Sequence, residues 1–271
     1  MMDNPSNTGS SDPVIVSNFE KATALLSSDG GRDEAVALLR SNCDAGDTDS
    51  MVRLGNVFLY GSDEEKRESV ELFRRAADGG NASGMRNLAY CYAVGVNVEK
   101  DKAMGAELYR KAMDMGSWAA TTNLGVMYDY GNGVPQDRDM AFRLYTLAAE
   151  HGSTRGMTNL GEFYNYGKGT PVDLDKAEMW YIRSGTARAM HRLALLYLDN
   201  PDKYDRAKGM EALRRSAEGG YGRALVRYGD ELGGDLAVKY YNLAAEKGNP
   251  DAVARLKDLG LPVPESKFKR K

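Results

Sequence analysis

A column of small residues recurs along this chain and restricts the possible folds more than any other feature. Its members are spaced 28 to 36 residues apart: Ala35, Ser69, Gly105, Ala141, Ala177, Gly209 and Ala237. Four residues after each member stands a bulky side chain: Leu39, Phe73, Tyr109, Tyr145, Tyr181, Leu213 and Tyr241. A spacing of four residues places both columns on one side of a helix, and the small residues let a neighbouring helix approach closely. The pattern predicts seven copies of one helix, called helix B.

A second helix, called helix A, is predicted before most copies of helix B. It contains a leucine, a small residue and then an aromatic residue, as in Leu124-Gly125 and Tyr128. Glycine-rich loops such as Gly131–Pro135 separate A from B, and glycine also follows most B helices. Glycine accepts the left-handed conformation that ends a helix. The unit is therefore helix, loop, helix and turn, and the predicted fold class is all-α.

These residues resemble a known family. The segments 124–128, 131–134 and 148–152 are similar to the Sel-one-like repeat, within the tetratricopeptide-repeat-like superfamily, and the resemblance covers about residues 32 to 258. It implies a right-handed superhelical solenoid of antiparallel helix pairs that acts as an adaptor in multiprotein complexes. A single pair cannot bury both of its faces, so neighbouring pairs must stack.

The predicted organisation has five parts. Residues 1–13 are expected to be a disordered N-terminal segment, and residues 14–31 a candidate capping helix and turn. The repeat solenoid is predicted over 32–260, with about seven helix pairs counting partial ones and a closing helix at 250–259. A basic, flexible C-terminal tail is expected over 261–271. We expect a tighter turn near Gly185 and a compressed last pair near Gly233, where the repeat shortens.

Composition excludes several classes of protein. The net charge of -3 gives no general attraction to nucleic acid, so a nucleic-acid partner is not expected. No long apolar run is present, so membrane insertion is not expected either. Only two cysteines occur, which favours a reducing compartment and a cytoplasmic location. Four cations in the last six residues are either a nuclear import signal or a solvated tail.

Residues for catalysis are scarce. The two histidines, His151 and His191, are interpreted as capping or surface residues, because neither has a nucleophile or a metal-ligand set at a suitable spacing. The glycine loops follow helices and lack the Gly-Lys-Ser/Thr element of a phosphate-binding loop. We therefore predict no catalytic residues, no metal, no cofactor and no enzymatic activity.

A protein-binding stripe is predicted on the A helices, which the resemblance places on the concave surface. Positions one before, two after and six after the core leucine share one helical face. The predicted binding residues are Arg53, Asn56, Tyr60, Asn87, Tyr90, Asn123, Val126, Tyr130, Asn159, Glu162, Tyr166 and Arg192, and Val94 occupies the same face. Asparagines can bond to the backbone of an extended peptide, and tyrosines offer rigid apolar area. The other interpretation is that the asparagines bond to neighbouring helices and the tyrosines pack between repeats.

The predicted function is a non-enzymatic adaptor or scaffold that binds a protein or peptide through the concave face. Two alternatives remain open: an RNA-associated helical-repeat protein and a regulatory subunit of an enzyme complex. A steep salt dependence of RNA affinity would indicate the first alternative. Co-purification of a catalytic protein would indicate the second.

Overall fold

Helices account for all regular structure in the part of the chain that the computed structural model describes, which is residues 11–28 and 30–266. The chain divides into two compact units, one up to Ser153 and the other from Thr154 onward. Unit 1 contains α1 (Pro13–Leu25), α2 (Arg32–Asp44), α3 (Thr48–Phe58), α4 (Asp63–Asp78), α5 (Ala82–Val94), α6 (Lys102–Asp114), α7 (Trp118–Tyr130) and α8 (Arg138–Glu150). The all-α prediction is confirmed.

Unit 2 repeats the same arrangement. It contains α9 (Thr154–Tyr166), α10 (Leu174–Ser184), α11 (Ala187–Asp199), a 3-10 turn (Pro201–Lys203), α12 (Arg206–Glu218), α13 (Gly222–Leu232), α14 (Gly234–Glu246) and α15 (Pro250–Asp258). In both units each even-numbered helix up to α14 is a B helix and packs mainly on the A helix before it. The resulting pairs are α1 with α2 through α7 with α8 in unit 1, and α9 with α10 through α13 with α14 in unit 2.

Aspartate starts most of the B helices. The N-cap carboxylates of α6, α8, α10 and α12 each accept a hydrogen bond from the backbone N–H three residues later, and these caps are Asp101, Asp137, Asp173 and Asp205. A side chain at this position satisfies a backbone donor that has no partner within the helix. The short aspartate therefore defines where the glycine loop ends and helix B begins.

The two columns seen in the sequence form the core of each pair. The bulky column is almost fully buried, and four of its aromatic rings lie against a glycine of the preceding A helix. A Cβ on those glycines would lie 2.5 to 2.8 Å from a ring carbon in the pairs Gly55–Phe73, Gly125–Tyr145, Gly161–Tyr181 and Gly229–Tyr241. Real Cβ atoms do not approach carbon so closely, so the glycine permits the close contact between helix and ring.

Two turns are shorter than the others, where the repeat spacing decreases. Only Gly185 and Thr186 separate α10 from α11, and Gly233 alone separates α13 from α14. Both glycines have a positive φ, at 62° and 68°, which lets the chain reverse within so few residues. The predicted tighter turn and compressed last pair are therefore present.

The ends of the chain are described in part. Helix α1 packs against α2 and begins at Pro13, one residue earlier than the capping helix predicted from the sequence. Helix α15 packs against α14 and covers the predicted closing helix except for its last residue. Most of the predicted N-terminal segment, residues 1–10, and the four cations of the basic tail lie outside the described residues.

Candidate functional site

In unit 1 the predicted stripe lies on three A helices, α3, α5 and α7, except for Tyr60, which lies in the turn after α3. We call it the unit 1 face, and it consists of Arg53, Asn56, Tyr60, Asn87, Tyr90, Val94, Asn123, Val126 and Tyr130. The side-chain amide of Asn87 donates a hydrogen bond to Oδ1 of Asn56 over 2.8 Å, which joins α5 to α3. The oxygen of the same Asn87 amide accepts from Arg86. These two asparagines therefore bond between repeats, as the second interpretation of the sequence held.

The tyrosines of the unit 1 face behave differently. Tyr60 is 81% exposed and Tyr130 is 65% exposed, so neither ring packs between repeats. Val94, at the equivalent position of α5, is also exposed. Tyr90 is partly buried; burial raises the pKa of its hydroxyl, and the neighbouring Tyr60 adds to that shift. A row of exposed apolar groups thus follows the C-terminal ends of the three A helices.

Unit 2 carries the rest of the predicted stripe on α9 and α11. Asn159 is only 7% exposed and Tyr166 is 54% exposed, so only the tyrosine offers a broad contact surface. Oε1 of Glu162 accepts hydrogen bonds from Nη2 of Arg188 over 2.8 Å and from Nε of Arg192 over 2.9 Å. One carboxylate of α9 is therefore shared by two guanidinium groups of α11.

Sequence reasoning missed further arginines of unit 2. Arg155, Arg188 and Arg223 each lie five residues before the core residue of their A helix, and Arg227 lies one before it in α13. Nη2 of Arg227 donates to Oδ1 of Asp199 over 3.0 Å, which joins α13 to α11. The recurrence of arginine at one repeat position was visible in the sequence and could have identified this set.

The interpretation of His191 as a surface or capping residue is wrong. Its ring is 7% exposed and lies 5.2 Å from the ring of Tyr221, and its Nδ1 has no hydrogen-bond partner among the described residues. Burial, together with the nearby Arg192, Arg223 and Arg227, lowers the pKa of His191 to about 4. The imidazole is therefore neutral at neutral pH.

His151 agrees with the interpretation as a capping residue. It is the C-cap residue of α8, and its ring stacks on Trp118 with the ring centroids 3.8 Å apart. Nδ1 of His151 lies 2.9 Å from the carbonyl oxygen of Leu147, within the last turn of the same helix. The carbonyl oxygen of Leu147 also accepts the backbone N–H of His151, so the ring and the backbone of the cap residue both meet the last turn of α8.

Metal binding, membrane insertion and thiol chemistry are the remaining features of the described residues. No cluster of three or more metal-binding side chains occurs there, and none of the helices there is long and apolar enough to cross a membrane. Cys43 and Cys91 are buried free thiols, and burial raises their pKa values to about 12 and about 11. Thiols with such pKa values are protonated at neutral pH and are poor nucleophiles.

The paired helices and their shared core columns define a helical-repeat protein. The family model of the Sel1 repeat matches residues 48–81, 82–117, 118–153, 154–186, 187–221 and 227–249, which together make up more than half of the chain. The chain therefore belongs to the Sel1 repeat family, and the resemblance seen in the sequence is confirmed. Sel1 repeat proteins generally mediate protein–protein interactions. No curated protein matches the chain significantly.

Solved structures with the same fold come from several bacteria. A Sel1 repeat protein from Oxalobacter formigenes has a TM-score of 0.69 and 27% identity, covering 87% of this chain and 99% of its own. The protective antigen c5321 of uropathogenic Escherichia coli has a TM-score of 0.62 and 25% identity over 91% of this chain. This chain covers only 56% of c5321. The immunity protein PA5088 of Pseudomonas aeruginosa, at 19% identity and a TM-score of 0.54, covers 94% of this chain and 90% of its own, and shares the fold alone.

Proposed function

We propose that this chain is a non-enzymatic scaffold that binds a segment of another protein on the unit 1 face. The exposure of Tyr60 and Tyr130 carries the proposal. Both occupy the same repeat position, six residues after the core residue of an A helix, and Val94 fills that position between them in sequence. Tyrosine is enriched in protein interfaces, because its ring supplies a large contact area while losing little conformational entropy.

Polar groups on the same face could orient a bound segment. Oδ1 of Asn56 is occupied by the bond from Asn87, whereas its amide N–H groups make no hydrogen bond within the described residues. Asn56 is exposed, so those two donors can reach a carbonyl oxygen of a partner. Asn56, Val94 and Tyr130 lie on packed helices, so little conformational entropy is lost when these groups bind a partner.

The cellular setting is part of the same proposal. Two buried free thiols suit a reducing compartment, so we place the scaffold in the cytoplasm. A cytoplasmic scaffold of this kind would support the assembly of a multiprotein complex. A regulatory subunit of an enzyme complex would use the same surface, and the identity of the captured partner would show which role applies.

Affinity purification from the native cell followed by mass spectrometry tests the proposal. We compare the wild type with the double variant Tyr60→Ser, Tyr130→Ser. Loss of two interface aromatics should reduce recovery of the dominant partner by at least about tenfold. Tyr204→Ser is the matched control, because Tyr204 is 60% exposed, lies between α11 and α12 and is not a member of the predicted stripe. Circular dichroism should give the same melting temperature for all three chains.

Three outcomes have different meanings. Loss of the partner from the double variant, with retention by Tyr204→Ser, supports the unit 1 face. Equal recovery with all chains contradicts it and moves the contact to another surface. Recovery of RNA in place of a protein contradicts the scaffold and supports the nucleic-acid alternative.

A further inference from the structure

A second surface in unit 2 has a different chemistry from the unit 1 face. We call it the arginine face, and it consists of Arg155 of α9, Arg188 and Arg192 of α11, and Arg223 and Arg227 of α13. These residues occupy only two repeat positions, five before and one before the core residue of the A helix. Positions four residues apart lie one above the other on a helix, so α11 and α13 each contribute one column of two arginines, and α9 contributes Arg155 alone.

The carboxylates next to these arginines do not balance their charge. Glu162 is the only carboxylate that pairs with Arg188 and Arg192 among the described residues, so one negative charge faces two positive charges. Arg227 is compensated by Asp199, at 3.0 Å, and by Glu231, at 3.3 Å. Arg223 is exposed and forms no ion pair with any described residue. An excess of positive charge is therefore left around α11 and α13.

His191 lies close to these arginines and is affected by their charge. Its ring is buried beside the arginines, and three guanidinium groups from two helices act in one direction on its titration: Arg192, Arg223 and Arg227 all lower its pKa, after burial. Asp199 acts in the opposite direction and is the weakest of the five causes. The arginines of α11 and α13 thus contribute to one region of positive potential.

We infer that the arginine face binds an acidic segment of the partner protein, rich in Asp or Glu. Arginine keeps several N–H donors after forming one ion pair, and its planar fork matches a carboxylate. Arg188 uses Nη2 and Arg192 uses Nε toward Glu162, so both retain further N–H donors for a second carboxylate. The inference rests on the proposed role as a protein-binding scaffold, but it does not depend on the unit 1 face.

An acidic peptide fits this face better than RNA does. RNA carries a charge on every phosphate and is held by cations that follow its backbone. Here Glu162, Asp199 and Glu231 stand among the arginines and would repel a continuous row of phosphates. A peptide can alternate its carboxylates with neutral residues and so avoid those positions. The net charge of -3 of the whole chain also gives RNA no general attraction.

Fluorescence anisotropy with the full chain tests this inference. The probes are a labelled peptide of alternating glutamate and alanine, the same peptide with glutamine in place of glutamate, and a polyuridine oligonucleotide. We expect the glutamate peptide to bind at least about tenfold more tightly than the glutamine peptide at low salt, because several exposed ion pairs add together. Its affinity should fall as salt is added.

Two charge variants locate the site. Arg188→Gln with Arg223→Gln should weaken binding of the glutamate peptide about fivefold, since each exposed pair contributes a modest amount. The control is Arg183→Gln with Arg215→Gln, which removes the same charge from exposed positions on α10 and α12. It should change the affinity by less than about twofold, because distant surface charges are screened.

Glu162→Gln should act in the opposite direction. It removes the carboxylate that Arg188 and Arg192 share, so both guanidinium groups become available and the glutamate peptide should bind about threefold more tightly. A variant that merely damaged the fold would weaken binding instead. A gain of affinity in Glu162→Gln together with a loss in the double arginine variant is the expected result.

Several outcomes would overturn the inference. These are equal affinity for the glutamate and glutamine peptides, an equal effect of the control variant, or tighter binding of polyuridine that is lost in Arg188→Gln with Arg223→Gln. The proposed function is tested separately, because Tyr60→Ser with Tyr130→Ser should leave the affinity for the glutamate peptide unchanged. If the native partner is lost from the tyrosine variant but the glutamate peptide never binds, only the arginine face is wrong.

Discussion

The contact between Gly125 and Tyr145 provides a quantitative test of how the helix pairs pack. A Cβ at Gly125 would lie 2.7 Å from Cε1 of Tyr145, whose ring is almost completely buried. Gly125→Ala should therefore cost about 1 to 3 kcal/mol through overpacking. Alanine also favours the helix over glycine by about 1 kcal/mol, so the expected net loss of stability is about 1 kcal/mol.

A second substitution should reverse the sign of the effect that Gly125→Ala has on stability. In a Tyr145→Leu background the ring is absent, and Gly125→Ala should stabilise the chain by about 1 kcal/mol through helix propensity alone. The coupling energy between the two sites is then about 2 kcal/mol, which is typical of residues in direct contact. The native chain already contains this combination, because the equivalent positions of α11 and α12 are Ala194 and Leu213, both fully buried.

Urea unfolding of the wild type, the two single variants and the double variant, followed by circular dichroism, measures the coupling. The pair Gly161–Tyr181 of unit 2 has the same 2.7 Å spacing and serves as a replicate. A coupling energy below about 0.5 kcal/mol would refute the packing argument, since residues without contact are additive within that range. Stabilisation by Gly125→Ala in both backgrounds would refute it as well.

Two further predictions concern stability. The unfolded chain protonates His191 below about pH 6.5 and the folded chain only below about pH 4, so protonation favours unfolding as the pH falls. Between pH 7 and pH 4.5, protonation of His191 should lower the free energy of unfolding by about 2 kcal/mol. The variant His191→Gln should lack that loss in urea unfolding, and an equal pH dependence of both chains would contradict the prediction. Asn81 caps α5 and also donates to two side chains of α3, whereas Asn249 only caps α15. In thermal unfolding, Asn81→Ala should lower the stability by about 2 to 3 kcal/mol and Asn249→Ala by about 1 kcal/mol. Equal losses would show that the hydrogen bonds to α3 contribute nothing.

The sequence alone determined the repeating unit of this protein. The small and bulky columns, the glycines after helix B and the shortened intervals near Gly185 and Gly233 all reflect interactions within one helix pair. Such interactions depend on residues a few turns apart, so helical periodicity and the conformational freedom of glycine suffice to predict them. For the same reason the exposed positions of Tyr60 and Tyr130 could be placed on one face before the fold was known.

The tertiary structure decided which side chains of that face remain available. Asn87 of α5 is hydrogen-bonded to Asn56 of α3, and Glu162 of α9 is shared by two arginines of α11. Asn159 is buried, although it occupies the same repeat position as Asn87. His191 became a buried neutral residue because its ring is desolvated beside Tyr221, and arginines of α11 and α13 also lower its pKa. These outcomes depend on distances between helices of different repeats and on the desolvation of charged groups, and neither quantity is contained in the spacing of residues along one helix.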